Sequence, residues 1–270
     1  MKKLSARRRH PLAALVVLLF ALAATGGLYT AFAPAGEAKA EQESSQSLAI
    51  EEGKKLYATG CSSCHGTGGQ GTSDGPSLVG VGAAAVDFQV GTGRMPAQQP
   101  GAQVPKKKKI YDQDETNQLA AYVASLGSGP SQPNKKMYDP SGADVAKGGE
   151  LFRNNCSQCH NFTGEGGALT HGKFAPDLAD VDEKHIYEAM QTGPQNMPSF
   201  TDGALPEKDK RDIVAYVKEV NSDKSESPGG FKLGGFGPVS EGLFAWVFGL
   251  GALIATAVWV AARTAKAKKS

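Results

Sequence analysis

Acidic residues are missing from both ends of this 270-residue sequence, with none before residue 12 and none after residue 262. Charge of either sign is absent from Leu12–Ala33 and again from Leu243–Ala262. No stretch shows sustained strand alternation bounded by hairpin turns, which argues against a sheet architecture. No nucleophile or acid–base constellation stands out, so independent substrate catalysis is not expected. Nor is a nucleic-acid partner. Cysteine is limited to four residues, and hydrophobic residues make up 40%. With any membrane span set aside, that fraction is thin for one large core, and 34 Gly with 15 Pro points to loop-rich units. Small units short of apolar area often gain stability from a covalent or metal staple.

What the ends do hold is positive charge. Lys2, Lys3, Arg7, Arg8 and Arg9 precede the first apolar run, and Arg263, Lys266, Lys268 and Lys269 follow the second. These nine leave 20 of the 29 Lys and Arg to face all 27 Asp and Glu, so the middle of the chain is net −7. The split is what the positive-inside rule produces when both tips, 1–11 and 263–270, sit in the cytoplasm. Each apolar run has about 20 residues, enough at roughly 1.5 Å per residue to cross a hydrocarbon core of about 30 Å. Trp246 and Trp259 lie near opposite ends of the second run, where aromatic belts form. The expected topology is two spans, 12–33 and 243–262, in the cell membrane, with everything between them on the extracytoplasmic face. The first run also fits a cleaved signal with a small-residue site at Ala38-Lys39-Ala40. Either way the middle is exported.

That middle is a repeat. Lys55-Leu-Tyr-Ala-Thr-Gly-Cys61-Ser-Ser-Cys64-His65 matches Glu150-Leu-Phe-Arg-Asn-Asn-Cys156-Ser-Gln-Cys159-His160 at an offset of 95 residues. Downstream, Gly75-Pro-Ser-Leu-Val-Gly-Val81 parallels Ala175-Pro-Asp-Leu-Ala-Asp-Val181. Thr92-Gly-Arg-Met95-Pro96 parallels Thr192-Gly-Pro-Gln-Asn-Met197-Pro198. Leu119, Tyr122, Val123 and Leu126 form a helical stripe with Gly127 as its stop, and Ile213, Tyr216, Val217 and Val220 form another, with Pro206 suited to its first turn. Each CxxCH is expected to follow a short helix ending at Leu56-Tyr57 or Leu151-Phe152. The spacing gives two small all-helical domains, 48–127 and 144–221. A Ser/Gly/Pro/Asn-rich linker, 128–143, joins them, and a Gly/Pro-rich one, 222–242, leads to the second span.

C-x-x-C-H is the attachment signature of a c-type haem. Two thiols three positions apart can each bond a vinyl group of one porphyrin, and the next histidine is held beneath the iron. Cys61, Cys64, Cys156 and Cys159 are then thioethers, and His65 and His160 are axial ligands of two covalently bound haems c. Zinc or a redox CxxC is the plainer reading of a single motif; its duplication in an exported repeat favours haem. Met95 and Met197, each followed by Pro, are the expected sixth ligands, because a soft thioether suits haem iron and raises its potential. Core filling is the commoner job of Met, but the equivalent placement in both copies favours ligation. Met190 is expected to pack, and His171 and His185 to be surface or loop histidines. Lys106–Lys109 lies in an insertion before the closing helix. It reads by default as a solvated basic loop, with a docking patch for an acidic partner as the alternative.

The chain resembles the dihaem cytochrome c subunit of the actinobacterial cytochrome bcc complex over nearly its whole length. Phe88-Gln-Val-Gly-Thr-Gly-Arg-Met-Pro96, Cys156-Ser-Gln-Cys-His-Asn-Phe-Thr-Gly-Glu-Gly-Gly-Ala168, Thr192-Gly-Pro-Gln-Asn-Met-Pro198 and Leu233-Gly-Gly-Phe-Gly-Pro238 carry the likeness. The resemblance implies an all-α fold of two tandem class I cytochrome c-like domains flanked by transmembrane helices. It implies cytochrome b and Rieske iron–sulfur subunits as partners in a quinol–cytochrome-c reductase, a translocase. It also implies electron delivery from the Rieske centre through the first and second haems to a cytochrome aa3 oxidase in a supercomplex. The dihaem subunit of a cbb3-type oxidase, the cytochrome subunit of a periplasmic dehydrogenase and a dihaem peroxidase are the competing readings. The first two usually lack a span after the second haem domain, and the third requires an open haem.

Overall fold

The computed structural model describes residues 11–32, 35–101, 103–222 and 238–267. Residues 1–10 of the first basic tip and 268–270 of the second lie outside the described residues, as does 223–237 with Leu233-Gly-Gly-Phe-Gly. The chain divides into two units, Met1–Ala49 and Ile50–Ser270. The first holds helix α1 (Pro11–Phe32) and the start of α2 (Ala35–Gly60). Within α1, Leu12–Thr30 has a mean hydropathy of 2.2 and none of it is buried. At the other end of the chain the last helix, Pro238–Ala267, carries Glu241–Arg263 with a mean hydropathy of 2.1, again unburied. Each is long and apolar enough to cross a membrane. Arg263 stacks over the Trp259 ring at 4.3 Å, a cation on an aromatic face at the end of that apolar stretch.

Two hydrophobic cores lie between. The first gathers Tyr57 from α2, Val86 and Val90 from α4 (Gly82–Gly91), and Leu119 and Val123 from α5 (Gln113–Ser125). The second gathers Phe152 from α7 (Val145–Asn155), Ile186 and Met190 from α9 (Glu183–Thr192), and Ile213 and Val217 from α10 (Glu207–Val220). The apolar stripes face inward, as the helical spacing requires. Asp112 starts α5 with a capping box, its carboxylate accepting from the Glu115 amide while Glu115 accepts from the Asp112 amide. Pro206 stands just before α10 in extended backbone, rather than in its first turn. In both domains the first and last helices cross at a glycine. A Cβ on Gly53 would lie 1.9 Å from the Gln118 carbonyl oxygen, and one on Gly148 would lie 1.9 Å from that of Asp212.

Three details differ from the sequence reading. The helices entering each CxxCH run on to Gly60 and Asn155, past Leu56-Tyr57 and Leu151-Phe152, so the thiol turn begins directly at a helix end. Gly167–Ala168 and Phe174–Ala175 pair as an antiparallel two-stranded ladder, β1 and β2, too short to show alternation. The segment read as a linker is fastened to both domains. The Ala84 amide donates to Pro130 O at 3.1 Å on one side. On the other, Asn134 caps the single turn α6 (Lys135–Tyr138), whose Met137 and Tyr138 pack on the second core.

Candidate haem sites

Each thiol pair sits in a tight helical turn. The Cys61 amide donates to Tyr57 O (2.9 Å) and the His65 amide to Cys61 O (3.0 Å). Cys156 and His160 repeat this with Phe152 O (2.8 Å) and Cys156 O (2.9 Å). The short helices α3 (Ser62–His65) and α8 (Ser157–His160) follow. Residues i, i+3 and i+4 of such a turn share one face, so both sulfurs and the imidazole are presented together. The next residue leaves that face in left-handed backbone, Gly66 at φ +79° and Asn161 at φ +64°, the residue types that tolerate it.

Both imidazoles are buried, and each Nδ1 meets a prolyl carbonyl, His65 with Pro76 O at 2.7 Å and His160 with Pro176 O at 3.1 Å. A carbonyl only accepts, so Nδ1 carries the hydrogen and Nε2 keeps a free lone pair, the usual arrangement of a metal-ligating histidine. Burial holds His160 below the ordinary histidine value, against the opposing pull of the Pro176 carbonyl. The paired Pro76 and Pro176 of the repeat are thus second partners of the two histidines.

All four cysteines are unpaired. Burial, with a smaller push from the second thiol of each pair, raises Cys61 to about 11 and Cys156 to about 12. Among the described residues no three His, Cys, Asp or Glu side chains gather to hold a metal ion.

A cavity of about 760 Å³ opens beside the second CxxCH, and Cys156, Cys159, His160 and Met197 line it together with Met190 and Phe200. Its volume lies within the roughly 300–1,000 Å³ usual for sites that enclose an organic ligand. Two thiols, an imidazole and a thioether, with Phe152, Leu178, Ile186, Ile213 and Val217 beside them in the same wall, fit a covalently tethered iron porphyrin. In the first domain Cys61 and Met95 pack against the core of Tyr57, Val90 and Leu119. The second cavity is shared property: Phe88, Arg94, Gln103, Val104 and Lys106 of the first domain also line it.

Sequence reasoning placed His185 at the surface or in a loop; it lies instead on α9, only 13% exposed, at the joint between the domains. Its ring meets Phe88 edge-on, centroids 6.1 Å apart, and its Nδ1 bonds Glu188 Oε2 at 2.8 Å. Burial keeps it below the ordinary value, against the acidic pull of Asp87 and Asp182. Asp87 of α4 and Glu188 of α9 are both fully buried and hydrogen-bonded to each other, with Lys184 on Asp87 and Gln113 Nε2 on Asp87 Oδ1 at 3.1 Å. Desolvation, then the Asp87 hydrogen bond and charge, push Glu188 up to about 10. Burial also pushes Asp87 upward, but the bonds from Glu188, Lys184 and Gln113 outweigh it and hold the group below the usual carboxylate range. Of the two, Glu188 is the group whose surroundings favour the protonated form. No local motif marks Asp87, because its cation Lys184 comes from the other domain. His171 is exposed, and Met190 fills the second core.

Residues 50–127 match the cytochrome c family model, and residues 143–217 match that of cytochrome c oxidase, cbb3-type, subunit III. Among curated relatives, the cytochrome bc1 complex cytochrome c subunit of Mycobacterium bovis is 48% identical, the alignment covering 96% of this chain and 93% of that one. Its counterpart in Corynebacterium efficiens is 45% identical, over 97% and 94%. The chain belongs to this family of cytochrome bc1 complex cytochrome c subunits. A cbb3-type oxidase subunit FixP of Bradyrhizobium diazoefficiens is more distant, 26% identical over 66% of this chain and 63% of its own. This cytochrome c subunit is therefore an electron-transport component of a respiratory reductase, mostly helical, with two cytochrome c-type domains that bind haem c covalently.

Proposed function

We propose that the chain relays single electrons from the Rieske iron–sulfur subunit to a cytochrome aa3-type oxidase, within a complex that also contains cytochrome b. Two haems c, one per domain, supply the one-electron chemistry when bound. Cys61 and Cys64 tether the first, and Cys156 and Cys159 the second. His65 with Met95, and His160 with Met197, would hold the two irons.

The observation that carries this reading is the duplicated pair of a buried imidazole and a prolyl carbonyl beside a thiol turn. Pro76 and Pro176 fix the two ring orientations and make the opposite nitrogens better donors. Met95 and Met197, as thioether donors, would favour the reduced state of the bound groups. Ile213 and Val217 of α10 give the second domain's cavity part of its apolar wall. The two apolar helices, with basic residues beyond them, support a membrane-held subunit whose haem domains face the extracytoplasmic side.

Purification of the full chain from native membranes, with haem-stained gels and intact mass, tests the reading. The expected result is a mass carrying two haems and co-migrating cytochrome b and Rieske subunits. A mass short of two haems overturns the cofactor assignment. Co-purification with cbb3 oxidase subunits instead would support the reading suggested by the family match over 143–217.

A further inference from the structure

Of the four lysines at 106–109, three are exposed and Lys107 is drawn inward. Its ammonium donates to Arg94 O at 2.8 Å and to Pro96 O, the carbonyls on either side of Met95. Its own amide donates to Gly93 O at 3.2 Å, so backbone and side chain both grip the methionine loop. Gly93 fits there only as glycine: it lies at φ +76°, and a Cβ would meet Lys107 O at 2.0 Å. From the other side, the Arg94 and Met95 amides donate to Gln89 O, each at 2.9 Å. Met95 is thus held between the end of α4 and a lysine clamp.

The other end of the same insertion is fastened to the second domain. Gln103 Nε2 donates to Phe174 O (2.6 Å) and Gln103 Oε1 accepts from the Phe174 amide (3.0 Å), while Gln195 Nε2 donates to Val104 O (3.1 Å). Gln195 is two residues before Met197. The insertion therefore runs from one methionine loop to the other.

We propose that Lys107 is a positioning residue for the Met95 sulfur, acting through the two carbonyls it bridges, and that the 97–110 insertion straps this loop to the second haem domain. The inference rests on Met95 being an iron ligand. A compact ammonium with three donors can satisfy two converging carbonyls at once, which an alkyl side chain cannot. Without it the loop loses a charge-assisted tie, and the sulfur is no longer held at bonding distance.

The test uses the full-length protein with both haems attached, as Lys107→Met, Lys107→Arg, Lys108→Ala and Met95→Ala variants. The readouts are the far-red thioether-to-iron absorbance of the oxidised protein and a redox titration resolving both haems. Lys107→Met is expected to lose up to half of the band and to lower the potential of one haem only. Lys107→Arg restores most of the band, because a guanidinium also donates to both carbonyls, and Lys108→Ala leaves it intact. Loss in Met95→Ala with none in Lys107→Met overturns the clamp while leaving Met95 as ligand. No loss in Met95→Ala overturns the ligand assignment itself. Equal losses in Lys107→Met and Lys108→Ala reduce the effect to surface charge and overturn the positioning role.

Discussion

The two haem domains solve the same packing problem with one hydroxyl moved. In the first, Tyr57 and Tyr122 pack with centroids 5.0 Å apart, and the Tyr57 hydroxyl donates to Gly66 O at 2.7 Å. In the second, the equivalent pair is Phe152 and Tyr216, 5.4 Å apart, and Tyr216 from the last helix donates to Phe162 O at 2.7 Å. Either helix can thus supply the donor that ties down the loop after the CxxCH histidine. What stays fixed is the backbone frame: the glycine crossing, the thiol turn and the prolyl carbonyl. What drifts is the loop carrying the methionine. The first domain holds that loop with an insertion and Lys107, and the second with a shorter return in which Phe200 N bonds Met190 O at 2.7 Å.

The fixed frame should give the largest effects, and equal ones in both copies. Gly53→Ala and Gly148→Ala each force a Cβ against a backbone oxygen that no rotamer change can move. The expected cost is at the top of the roughly 1–3 kcal/mol usual for overpacking, with reduced haem attachment in the altered domain. Haem-stained yield and thermal unfolding check this. A large loss for one glycine and none for the other would break the equivalence of the domains.

The joint between the domains has no counterpart inside either one, so its substitutions should act on both together. Lys184→Met leaves Asp87 buried without its cation, and the loss should be about 3 kcal/mol. That is the low end for a broken buried pair, because Lys184 is itself 22% exposed. Denaturant unfolding followed at both haems should show their transitions shifting in step.

The proton on Glu188 gives the joint a pH dependence of known sign. The folded group holds its proton up to about 10, whereas the unfolded chain releases it near the ordinary 4.5. Within that window the unfolded state binds fewer protons, so stability falls as pH rises. Asp87 acts at the other extreme, adding stability above its ordinary 3.8 that is lost on acidification. Glu188→Gln, which copies the protonated shape, should flatten the decline between about pH 5 and 9, where one proton contributes at most about 1.4 kcal/mol per pH unit. Lys184, His185, Asp182 and Lys109 also act electrostatically at this joint. An unchanged slope in Glu188→Gln would assign the dependence to them.

How legible the molecule was in its sequence follows the same division. Repeat, thiol turns, helical stripes and apolar runs are local patterns, and they mark the residues that gather at the second cavity. The start of α2 at Ala35 escaped because its Ala, Glu and Gln favour helix without an apolar stripe. His185 escaped because its partner Phe88 lies 97 positions away and in the other domain. Lys107 escaped because four identical lysines in a row carry no mark of which one the loop turns inward.

The smallest effect concerns the displaced hydroxyl. Tyr57→Phe removes a buried hydrogen bond and should cost about 1 kcal/mol, while Tyr216→Phe should cost less because its site is only half-buried and water can replace the donor. Phe152→Tyr alone should destabilise, since it crowds a second hydroxyl against a loop that Tyr216 already ties at Phe162 O. Combined with Tyr216→Phe it recreates the arrangement of the first domain. With the rings 5.4 Å apart the two changes should couple, making the double variant more stable than the sum of the singles by at least about 0.5 kcal/mol. Simple additivity in that cycle would mean the carbonyl after each histidine accepts from one fixed direction. The likeness of the two aromatic pairs would then be one of shape alone.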